Sequence, residues 1–299
     1  MSADKRVLVT GLTGFTGRYV ADELVAAGFE VHGVGERPSG LPRYTQVDLT
    51  DRDGLRALVA EVAPHAVLHL AGMAFVAHDS AEAFYRVNTV GTRNLLEALA
   101  SEASNVDCVL LASSANVYGN ATEGVLTEST PFNPVNDYAV SKVAMEYMAR
   151  LWGDKLPVVI TRPFNYTGVG QSDAFLLPKI VGHFQRGARQ IELGNLDVFR
   201  DFSDVRAVAN AYRRLLQSCP AGEVVNVCSG QSHSLREVLE MTGKIAGYDI
   251  EVKVNPAFVR ANEVRSLLGS AEHLCSIIGE WDMPPLSETL AWMYRAPMQ

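Results

Sequence analysis

The sequence has few of the features that metal centres, disulfide frameworks and nucleic-acid surfaces require. Its four cysteines are far apart, form no C-x-x-C pair and have no histidine at ligand spacing, so we predict no metal site and no disulfide. The formal net charge of −8 offers no basic field to nucleic acid or to an anionic membrane. No apolar run approaches the length of a bilayer span, and no signal-like segment precedes the first strand. These absences predict a cytoplasmic protein without nucleic-acid or membrane partners.

The sequence does have a regular alternation of short apolar runs and amphipathic stretches, from Arg6 to about Thr161. Near-continuous apolar strands separated by helices indicate a parallel sheet that is covered on both faces. After Asn165 the order loosens, but no Pro/Ser-rich linker separates the two parts. We therefore predict an α/β fold. A Rossmann-type doubly wound parallel sheet spans residues 1–165, with later segments returning to it, and residues 166–299 form mainly a smaller α/β C-terminal lobe.

A glycine-rich turn follows the first strand. The stretch VTGLTGFTGRYV places Gly11, Gly14 and Gly17 between strand one and helix one. Glycines there permit a tight turn and a close approach of the backbone to a pyrophosphate, which the N-terminus of the helix attracts. Arg18 follows Gly17 where a P-loop would have Lys and a hydroxyl residue, so we predict a dinucleotide site rather than a nucleoside-triphosphate site.

The end of strand two bears on the choice between NAD and NADP. The stretch GVGERPSG offers Glu36, whose carboxylate suits a ribose 2′-hydroxyl, and Arg37, which suits a 2′-phosphate. Gly35 stands where an NAD-binding Asp would stand, which favours NADP(H) over NAD(H). Asp48 and Leu49, after strand three, would flank the adenine; the alternative is that Asp48 only starts the next turn.

The stretch YAVSK carries a candidate acid/base pair. Tyr138 and Lys142 are four residues apart and so share one face of a helix. An ammonium beside a phenol would lower the phenol pKa from about 10 toward the working range. Such pairs also occur on plain helix surfaces. Here the helix follows the fifth strand, whose carboxyl end carries Ser114 in SSANVYG.

Six motifs together (TGLTGFTG, VDL, LAG, SSANVYG, YAVSK and RPFN) resemble the extended short-chain dehydrogenase/reductase family, in its nucleotide-sugar branch, over nearly the whole chain. The resemblance implies that Ser114 holds a substrate oxygen and that Tyr138 is the general acid/base. It implies that Lys142 binds the nicotinamide ribose and lowers the Tyr138 pKa. The implied cofactor-binding residues are Gly11, Gly14, Phe15, Thr16, Gly17, Glu36, Arg37, Asp48, Leu49, Leu70, Ala71, Gly72, Asn88, Tyr138, Lys142 and Pro163.

The same resemblance implies a nucleotide-sugar substrate, with a GDP-linked one favoured. The implied substrate-binding residues are Ser114, Asn116, Asn165, Lys179, Arg200, Arg260 and Glu263. Arg and Lys would bind the diphosphate, and Glu the ribose hydroxyls. Without the resemblance, Arg200 beside Asp201 would be a surface ion pair, and Arg260 with Glu263 a pair on one helix face.

The residues around Ser114 narrow the chemistry. A sugar 4,6-dehydratase needs an acidic residue or pair directly after this position, and Ala115 and Asn116 supply none. Relatives that epimerise at C3 and C5 have a Cys and a His at positions that resemble Asn116 and Phe175 here. His183 lies too late along the chain and is expected on a helix surface. A redox step at a single carbon is what remains.

The motifs leave three functions open. The stretch RPFNYTGVGQSDAFLLPKIV most closely resembles the GDP-4-keto-6-deoxy-D-mannose reductases. This favours an NAD(P)H-dependent oxidoreductase that reduces the C4 ketone to GDP-D-rhamnose or a close stereoisomer, for polysaccharide biosynthesis. The alternative enzyme is a nucleotide-sugar 4-epimerase with tightly bound NAD. A non-catalytic dinucleotide-sensing regulator is disfavoured because Ser114, Tyr138 and Lys142 are all present.

Two predicted helices bear on oligomeric state. The apolar faces of AEAFYRVNTVGTRNLLEALA and YAVSKVAMEYMARLW resemble the helices that pair between subunits in this family. The alternative is that these faces only cover the sheet. We expect a homodimer.

Overall fold

The computed structural model describes residues 5–73, 80–103, 105–119, 124–258 and 266–297. The strands are β1 (Arg6–Thr10), β2 (Glu30–Gly35), β3 (Tyr44–Gln46), β4 (Ala66–His69), β5 (Cys108–Ala112), β6 (Val158–Pro163), β7 (Asn165–Thr167), β8 (Gln190–Leu193), β9 (Phe199–Asp204), β10 (Val224–Val227), β11 (Ser232–Ser234), β12 (Glu251–Val254) and β13 (Ser266–Leu267). The α-helices are α1 (Phe15–Ala26), α2 (Arg52–Val62), α3 (Ala81–Phe84), α4 (Thr92–Glu102), α5 (Asp137–Arg150), α6 (Leu176–Gln185), α7 (Val205–Ser218), α8 (Leu235–Ala246), α9 (Glu272–Ile278) and α10 (Leu286–Arg295).

A parallel sheet of seven strands forms the centre of the larger part, in the order β10-β6-β5-β4-β1-β2-β3. The strand order reverses between β1 and β4, which is the switch point at which open α/β sheets bind ligands. This confirms the predicted Rossmann-type α/β fold. Strand β10 lies in the second half of the chain but belongs to this sheet, in line with the predicted return of later segments to it. The assignment of dinucleotide binding to residues 1–165 and of substrate binding to residues 166–299 stays a proposal.

Buried apolar clusters cover both faces of this sheet because successive residues of a strand point to opposite sides. Val7 and Val9 of β1 pack in one cluster with α1 and α7. Leu8 packs in the other cluster with α2, α4 and α5. Among the helices in the described ranges, none combines the length and the apolarity that a membrane span requires.

Local sequence fixes where the site-bearing helices begin. The Asn136 side chain accepts a hydrogen bond from the Ala139 backbone N–H (2.9 Å), which caps α5 and places Tyr138 in its first turn. Helices α3 and α4 are joined by a π-helical segment, Tyr85–Gly91, which carries Asn88. Such segments occur often at functional sites.

The smaller lobe is built around β9, which pairs in parallel with β7 and β13 and antiparallel with β11. Its core comes mainly from α6, α8 and α10, with Phe184 and Leu290 fully buried. Asp204 joins the lobe to the larger part, since it caps α7 and accepts a hydrogen bond from the Thr289 hydroxyl (2.8 Å). The lobe therefore lies next to the carboxyl ends of the central strands.

Candidate active site

The glycine turn after β1 has the shape that a dinucleotide requires. Gly11 has φ +75°, and a Cβ there would lie 2.9 Å from the Ala71 backbone nitrogen. A Cβ on Gly17 would lie 2.3 Å from the Gly11 carbonyl oxygen, so α1 packs directly on the turn. Gly14 precedes α1, and in the described structure no side chain caps this helix. The first N–H groups of α1 are thus open to a pyrophosphate.

The loop after β4 forms the next wall of this site. The Ala71 backbone N–H donates to the Thr10 hydroxyl (3.0 Å), which ties the loop to β1. A Cβ on Gly72 would lie 3.0 Å from Asn88 Oδ1 and 3.4 Å from Lys142 Nζ. The predicted residues 70–72, Asn88 and Lys142 are therefore brought together here. These residues and the glycine turn fit a nicotinamide dinucleotide.

At the end of β2, Gly35 stands where an NAD site would carry an acidic residue, and Tyr44 lies beside it. A Cβ on Gly35 would lie 2.6 Å from the Tyr44 hydroxyl, so no larger side chain fits there without a shift. The Tyr44 hydroxyl donates to the Arg37 carbonyl (2.9 Å), and the Gln46 amide donates to the Glu36 carbonyl (2.9 Å). The side chains of Glu36 and Arg37 stay exposed. Sequence reasoning missed Tyr44.

The loop after β3 and the end of β6 hold the remaining predicted cofactor residues. Asp48 Oδ1 accepts hydrogen bonds from the Thr50 backbone N–H (2.8 Å) and hydroxyl (2.9 Å). In the cofactor-free protein Asp48 therefore starts the turn after β3, which is the alternative to adenine binding. Leu49 is buried in the core, where a Cβ on Gly91 would meet it. Pro163 is half-buried at the end of β6.

Ser114, Tyr138 and Lys142 meet where β5 ends and α5 begins. Ser114 and Tyr138 share a side-chain hydrogen bond. Ser114 Oγ also accepts from the Asn116 backbone N–H (3.2 Å) and side-chain amide (3.0 Å). Lys142 is buried, and its Nζ donates to the Ala112 carbonyl (2.8 Å).

Burial dominates the acid/base properties of Tyr138 and Lys142. Burial raises the pKa of Tyr138 to about 12, and the hydrogen bond with Ser114 only partly opposes this rise. Burial also lowers the pKa of Lys142 to about 8. In the cofactor-free protein loss of solvent therefore dominates the Tyr138 pKa, and the lowering of this pKa by Lys142 stays a prediction. Tyr138 keeps its proton at neutral pH.

The predicted substrate residues lie in the smaller lobe. Asn165 on β7 donates to the Asp201 carbonyl of the adjacent strand β9 (3.4 Å), and Arg200 is half-buried on β9. The Asp201 carboxylate is buried and accepts hydrogen bonds from the backbone N–H groups of Ser229 (2.7 Å) and Gly230 (2.9 Å). Asp201 thus holds the turn after β10 rather than lying on the surface.

Lys179 lies in the first turn of α6. Its Nζ donates to the Glu192 carbonyl (2.9 Å) and lies 4.5 Å from the ring centroid of Phe258. Arg260 and Glu263 lie outside the described residues. His183 is a part-buried residue on α6. Its Nδ1 lies 2.8 Å from the Lys179 carbonyl one helical turn earlier, which is a contact within the helix.

Tyr166 joins the two parts of the protein at the cofactor side. Its ring stacks on Phe15 with a centroid distance of 6.1 Å and an interplanar angle of 11°. Its hydroxyl lies 2.8 Å from the Thr16 hydroxyl. Sequence reasoning missed this residue, although it follows Asn165 directly in a motif that had been singled out. In the described residues no group of three or more His, Cys, Asp or Glu could hold a metal ion.

Two curated relatives match most of the chain. A GDP-6-deoxy-D-mannose reductase of Pseudomonas aeruginosa is 38% identical over 288 residues, which cover 92% of this chain and 91% of the relative. A GDP-6-deoxy-D-talose 4-dehydrogenase of Aggregatibacter actinomycetemcomitans is 32% identical over 294 residues, with 97% of each chain covered.

Solved structures agree with the fold. A Burkholderia cenocepacia protein, described provisionally as an epimerase, is 54% identical with a TM-score of 0.91 and covers 97% of each chain. The Pseudomonas aeruginosa protein RMD, solved with NADPH, is 34% identical with a TM-score of 0.85. It covers 97% of this chain and 98% of its own.

A family model described as GDP-mannose 4,6 dehydratase matches residues 8–282. This match spans the glycine turn, the three candidate catalytic residues and most of the smaller lobe. The family name describes one of several reactions on GDP-linked sugars, as the names of the two curated relatives show. The chain thus belongs to the GDP-mannose 4,6-dehydratase family of extended short-chain dehydrogenase/reductases, and it is an NAD(P)-dependent oxidoreductase.

Proposed function

We propose that the chain reduces the C4 ketone of a GDP-linked 4-keto-6-deoxy sugar to GDP-D-rhamnose or a close stereoisomer. The observation that carries this proposal is the hydrogen-bonded pair of Ser114 and Tyr138 beside two positions that cannot exchange a proton. Ala115 is buried, and the Asn116 amide donates to Ser114. The site is thus equipped for one proton transfer. The similarity to a GDP-6-deoxy-D-mannose reductase supports the same reaction.

The residues divide the work of the reduction. Ser114 and Tyr138 would both donate hydrogen bonds to the ketone oxygen, which polarises the carbonyl. NAD(P)H held at this site would supply the hydride for C4. Tyr138 gives its proton to the oxygen as the alkoxide forms, and a phenol that keeps its proton at neutral pH is ready for this step. Lys142 would hold the nicotinamide ribose beside Gly72 and Asn88.

Dehydration is not part of this proposal, although the family name mentions it. Removal of the C5 proton and loss of the C6 hydroxyl need a base and an acid next to the sugar. Positions 115 and 116 carry Ala and Asn, which provide neither.

We assign NADP(H) as the preferred cofactor. Gly35 carries no carboxylate to recognise an NAD ribose, and a side chain there would have to displace the Tyr44 hydroxyl. Arg37 lies two residues further, exposed, as a cation for a 2′-phosphate. The relative RMD, solved with NADPH, supports this assignment.

The second candidate is a 4-epimerase with resident NAD, favoured by the 54% identity to a protein described provisionally as an epimerase. An epimerase must first remove the proton of the C4 hydroxyl, for which a phenolate is the active form. NAD that copurifies with the protein would favour the epimerase.

The test uses the purified protein, NADPH and the 4-keto product of GDP-mannose dehydration. We expect oxidation of NADPH, and we expect Tyr138→Phe to abolish it while the variant still binds NADPH. Tyr248→Phe is the matched control, because its hydroxyl donates to a backbone carbonyl (Phe184, 2.9 Å) and its ring packs against the core of the smaller lobe. The proton coupling between H3 and H4 of the product distinguishes the rhamnose from the talose configuration. Absence of turnover by the wild-type protein would overturn the proposal.

We also propose that the chain works as a homodimer through α5 and the π-helical segment before α4. Apolar side chains are exposed on these elements and directly after α5: Val90 (47%), Val140 (38%) and Leu151 (81%). A second copy of this chain would cover them, as the sequence resemblance predicts.

The four free thiols suit a reducing compartment, and we place the protein in the cytoplasm.

A further inference from the structure

Strand β5 ends at Ala112, and Ser113 and Ser114 follow it directly. Each of these three residues is hydrogen-bonded to a different turn of α5. The Ala112 carbonyl accepts from Lys142 (2.8 Å), and Ser114 shares a hydrogen bond with Tyr138. The residue between them, Ser113, donates to Glu146 Oε1 (2.6 Å). Positions 138, 142 and 146 are four residues apart and so form one row along the helix. Glu146 makes the third bond of this row, and the proposed reaction gives it no role.

Glu146 is a fully buried carboxylate, with 0% of its side chain exposed. Its partner is Arg162 on β6, which is 2% exposed and donates through Nε to Oε1 (3.0 Å) and through NH2 to Oε2 (2.7 Å). This is a bidentate pair, the geometry in which Arg binds carboxylates most strongly. The carboxylate is therefore held in one orientation while it accepts the bond from Ser113.

Arg162 is itself held from two further sides. Its NH1 donates to the Tyr118 hydroxyl (2.9 Å) and to the Glu128 carbonyl (3.1 Å). The Tyr118 hydroxyl donates in turn to Asn226 Oδ1 (2.7 Å). The network connects α5, β6, β10 and the turn after β5, and its hydrogen bonds satisfy the Glu146 carboxylate and the Arg162 guanidinium.

Stability alone is a poor reason for such a pair. A buried ion pair loses so much hydration that well-packed apolar residues in its place are often as stable or more stable. The distinctive property of this pair is its location, because it fixes Ser113 directly beside Ser114 and lies one helical turn beyond Lys142. A row of apolar side chains could fill the same space but could not hold the serine turn in register.

We propose that Glu146, clamped by Arg162, is a positioning residue for the reaction. It fixes the turn that carries Ser114, and its charge keeps the Lys142 ammonium protonated in a buried site. The kinetic part of this proposal rests on the proposed function, whereas its electrostatic part can be tested without any substrate.

The electrostatic part has a definite sign. Burial lowers the pKa of Lys142, and the negative charge of Glu146 raises it in opposition. From β4, His69 faces Lys142 as a neutral ring, and Tyr138 is a neutral neighbour on α5. Arg162 faces Glu146 from β6. Replacement of Glu146 by a neutral residue would leave the Arg162 charge uncompensated, so the Lys142 pKa should fall.

The experiment compares Glu146→Gln, Glu146→Asp and Ser113→Ala with the wild-type protein. Glu97→Gln is the matched control, since Glu97 also pairs with arginines but does so on the surface of α4. Lysine labelled with ¹³C at the ε carbon gives six NMR signals, because the chain has six lysines. The Lys142 signal, assigned by its loss in Lys142→Arg, reports the ammonium titration directly in the cofactor-free protein.

We expect the Lys142 titration to move to lower pH in Glu146→Gln and to stay unchanged in Glu97→Gln. Glu146→Asp keeps the charge but shortens the reach to Ser113, so its Lys142 titration should stay near that of the wild type. In the reductase assay kcat should fall about 10- to 100-fold in Glu146→Gln, Glu146→Asp and Ser113→Ala, with KM nearly unchanged, because a misplaced catalytic group costs rate rather than binding.

Each outcome bears on a separate claim. An unshifted Lys142 titration together with an unchanged kcat in Glu146→Gln overturns the positioning role. An inactive wild-type protein refutes the proposed reaction, while a shifted titration in the same samples still supports the electrostatic role of Glu146. If Glu146→Gln does not fold, Ser113→Ala decides, because it leaves the ion pair intact. A wild-type kcat in that variant would overturn the proposal, and a lowered kcat with unchanged NADPH affinity would support it.

Discussion

The neutral histidine beneath the cofactor site should make the protein sensitive to mild acid. His69 ends β4 and is 3% exposed, with Nδ1 2.7 Å from the Thr10 hydroxyl and Nε2 2.8 Å from the Thr92 hydroxyl. The Thr92 hydroxyl donates to the Asn88 carbonyl, so it accepts from Nε2–H. The Thr10 hydroxyl accepts from the Ala71 N–H and donates to Nδ1. The ring is thus satisfied only in its neutral form.

The magnitude follows from the pKa difference between the folded and the unfolded chain. Burial, with a smaller contribution from the positive charge of Lys142, lowers the pKa of His69 from 6.5 to about 3. Below pH 6.5 the unfolded chain takes up a proton that the folded protein refuses, so stability falls with decreasing pH. The loss is about 1.4 kcal/mol per pH unit in this range, and a step from about pH 7.5 to about pH 5.5 therefore costs about 1.4 kcal/mol at this one residue.

Urea unfolding at these two pH values, for the wild type and for His69→Gln, measures this loss. Glutamine can donate and accept at the two threonines but does not titrate. We expect the variant to be less stable at neutral pH, yet to lose about 1.4 kcal/mol less than the wild type between the two conditions. His32→Gln is the comparison, because burial lowers the pKa of His32 in the same direction but His32 is only half-buried beside the Thr45 hydroxyl (2.9 Å), so its effect should be smaller. The same pH dependence in the wild type and in His69→Gln would refute the reasoning.

Two further predictions concern the cofactor and the subunit contact. Gly35→Asp alone should cost about 1–3 kcal/mol of stability, because its Cβ would meet the Tyr44 hydroxyl at 2.6 Å; combined with Tyr44→Phe, it should shift binding from NADPH toward NADH. Fluorescence titration of both cofactors tests this, with Tyr44→Phe alone as the control, and an unchanged preference in the double variant contradicts it. Leu151→Glu should convert a dimer into a monomer in light scattering, since it places a charge in a face that a second copy must desolvate; an unchanged mass contradicts that interface.

Much of the site was predictable from sequence because its residues lie close together in the chain or at a helical period. The order of strands and helices follows from apolar periodicity, and it places the glycine turn and the end of β5 at one edge of a parallel sheet. Tyr138 and Lys142 share a helix face by spacing alone. These features depend on local pattern, which a single sequence records.

The features that sequence reasoning missed depend on contacts between distant residues. Tyr44 closes the position beside Gly35 only because β3 pairs with β2, and nothing in the spacing of the two residues indicates this. The contact of Tyr166 with Thr16 spans 150 positions. The rise of the Tyr138 pKa by burial could not be predicted either, because the extent of burial depends on how the whole chain packs around the ring.

The hydrogen bond from Tyr118 to Asn226 has a consequence for how the protein can be divided. Asn226 lies on β10, which the second half of the chain adds to the edge of the sheet beside β6. A fragment that ended near residue 165 would leave β6 as an open edge and the Arg162 network without its last acceptor. The dinucleotide-binding part is therefore not a transferable module. A chimaera that exchanges the smaller lobe must keep α7 and β10 with their native sheet, or it will lose the register of Ser114 along with the old specificity.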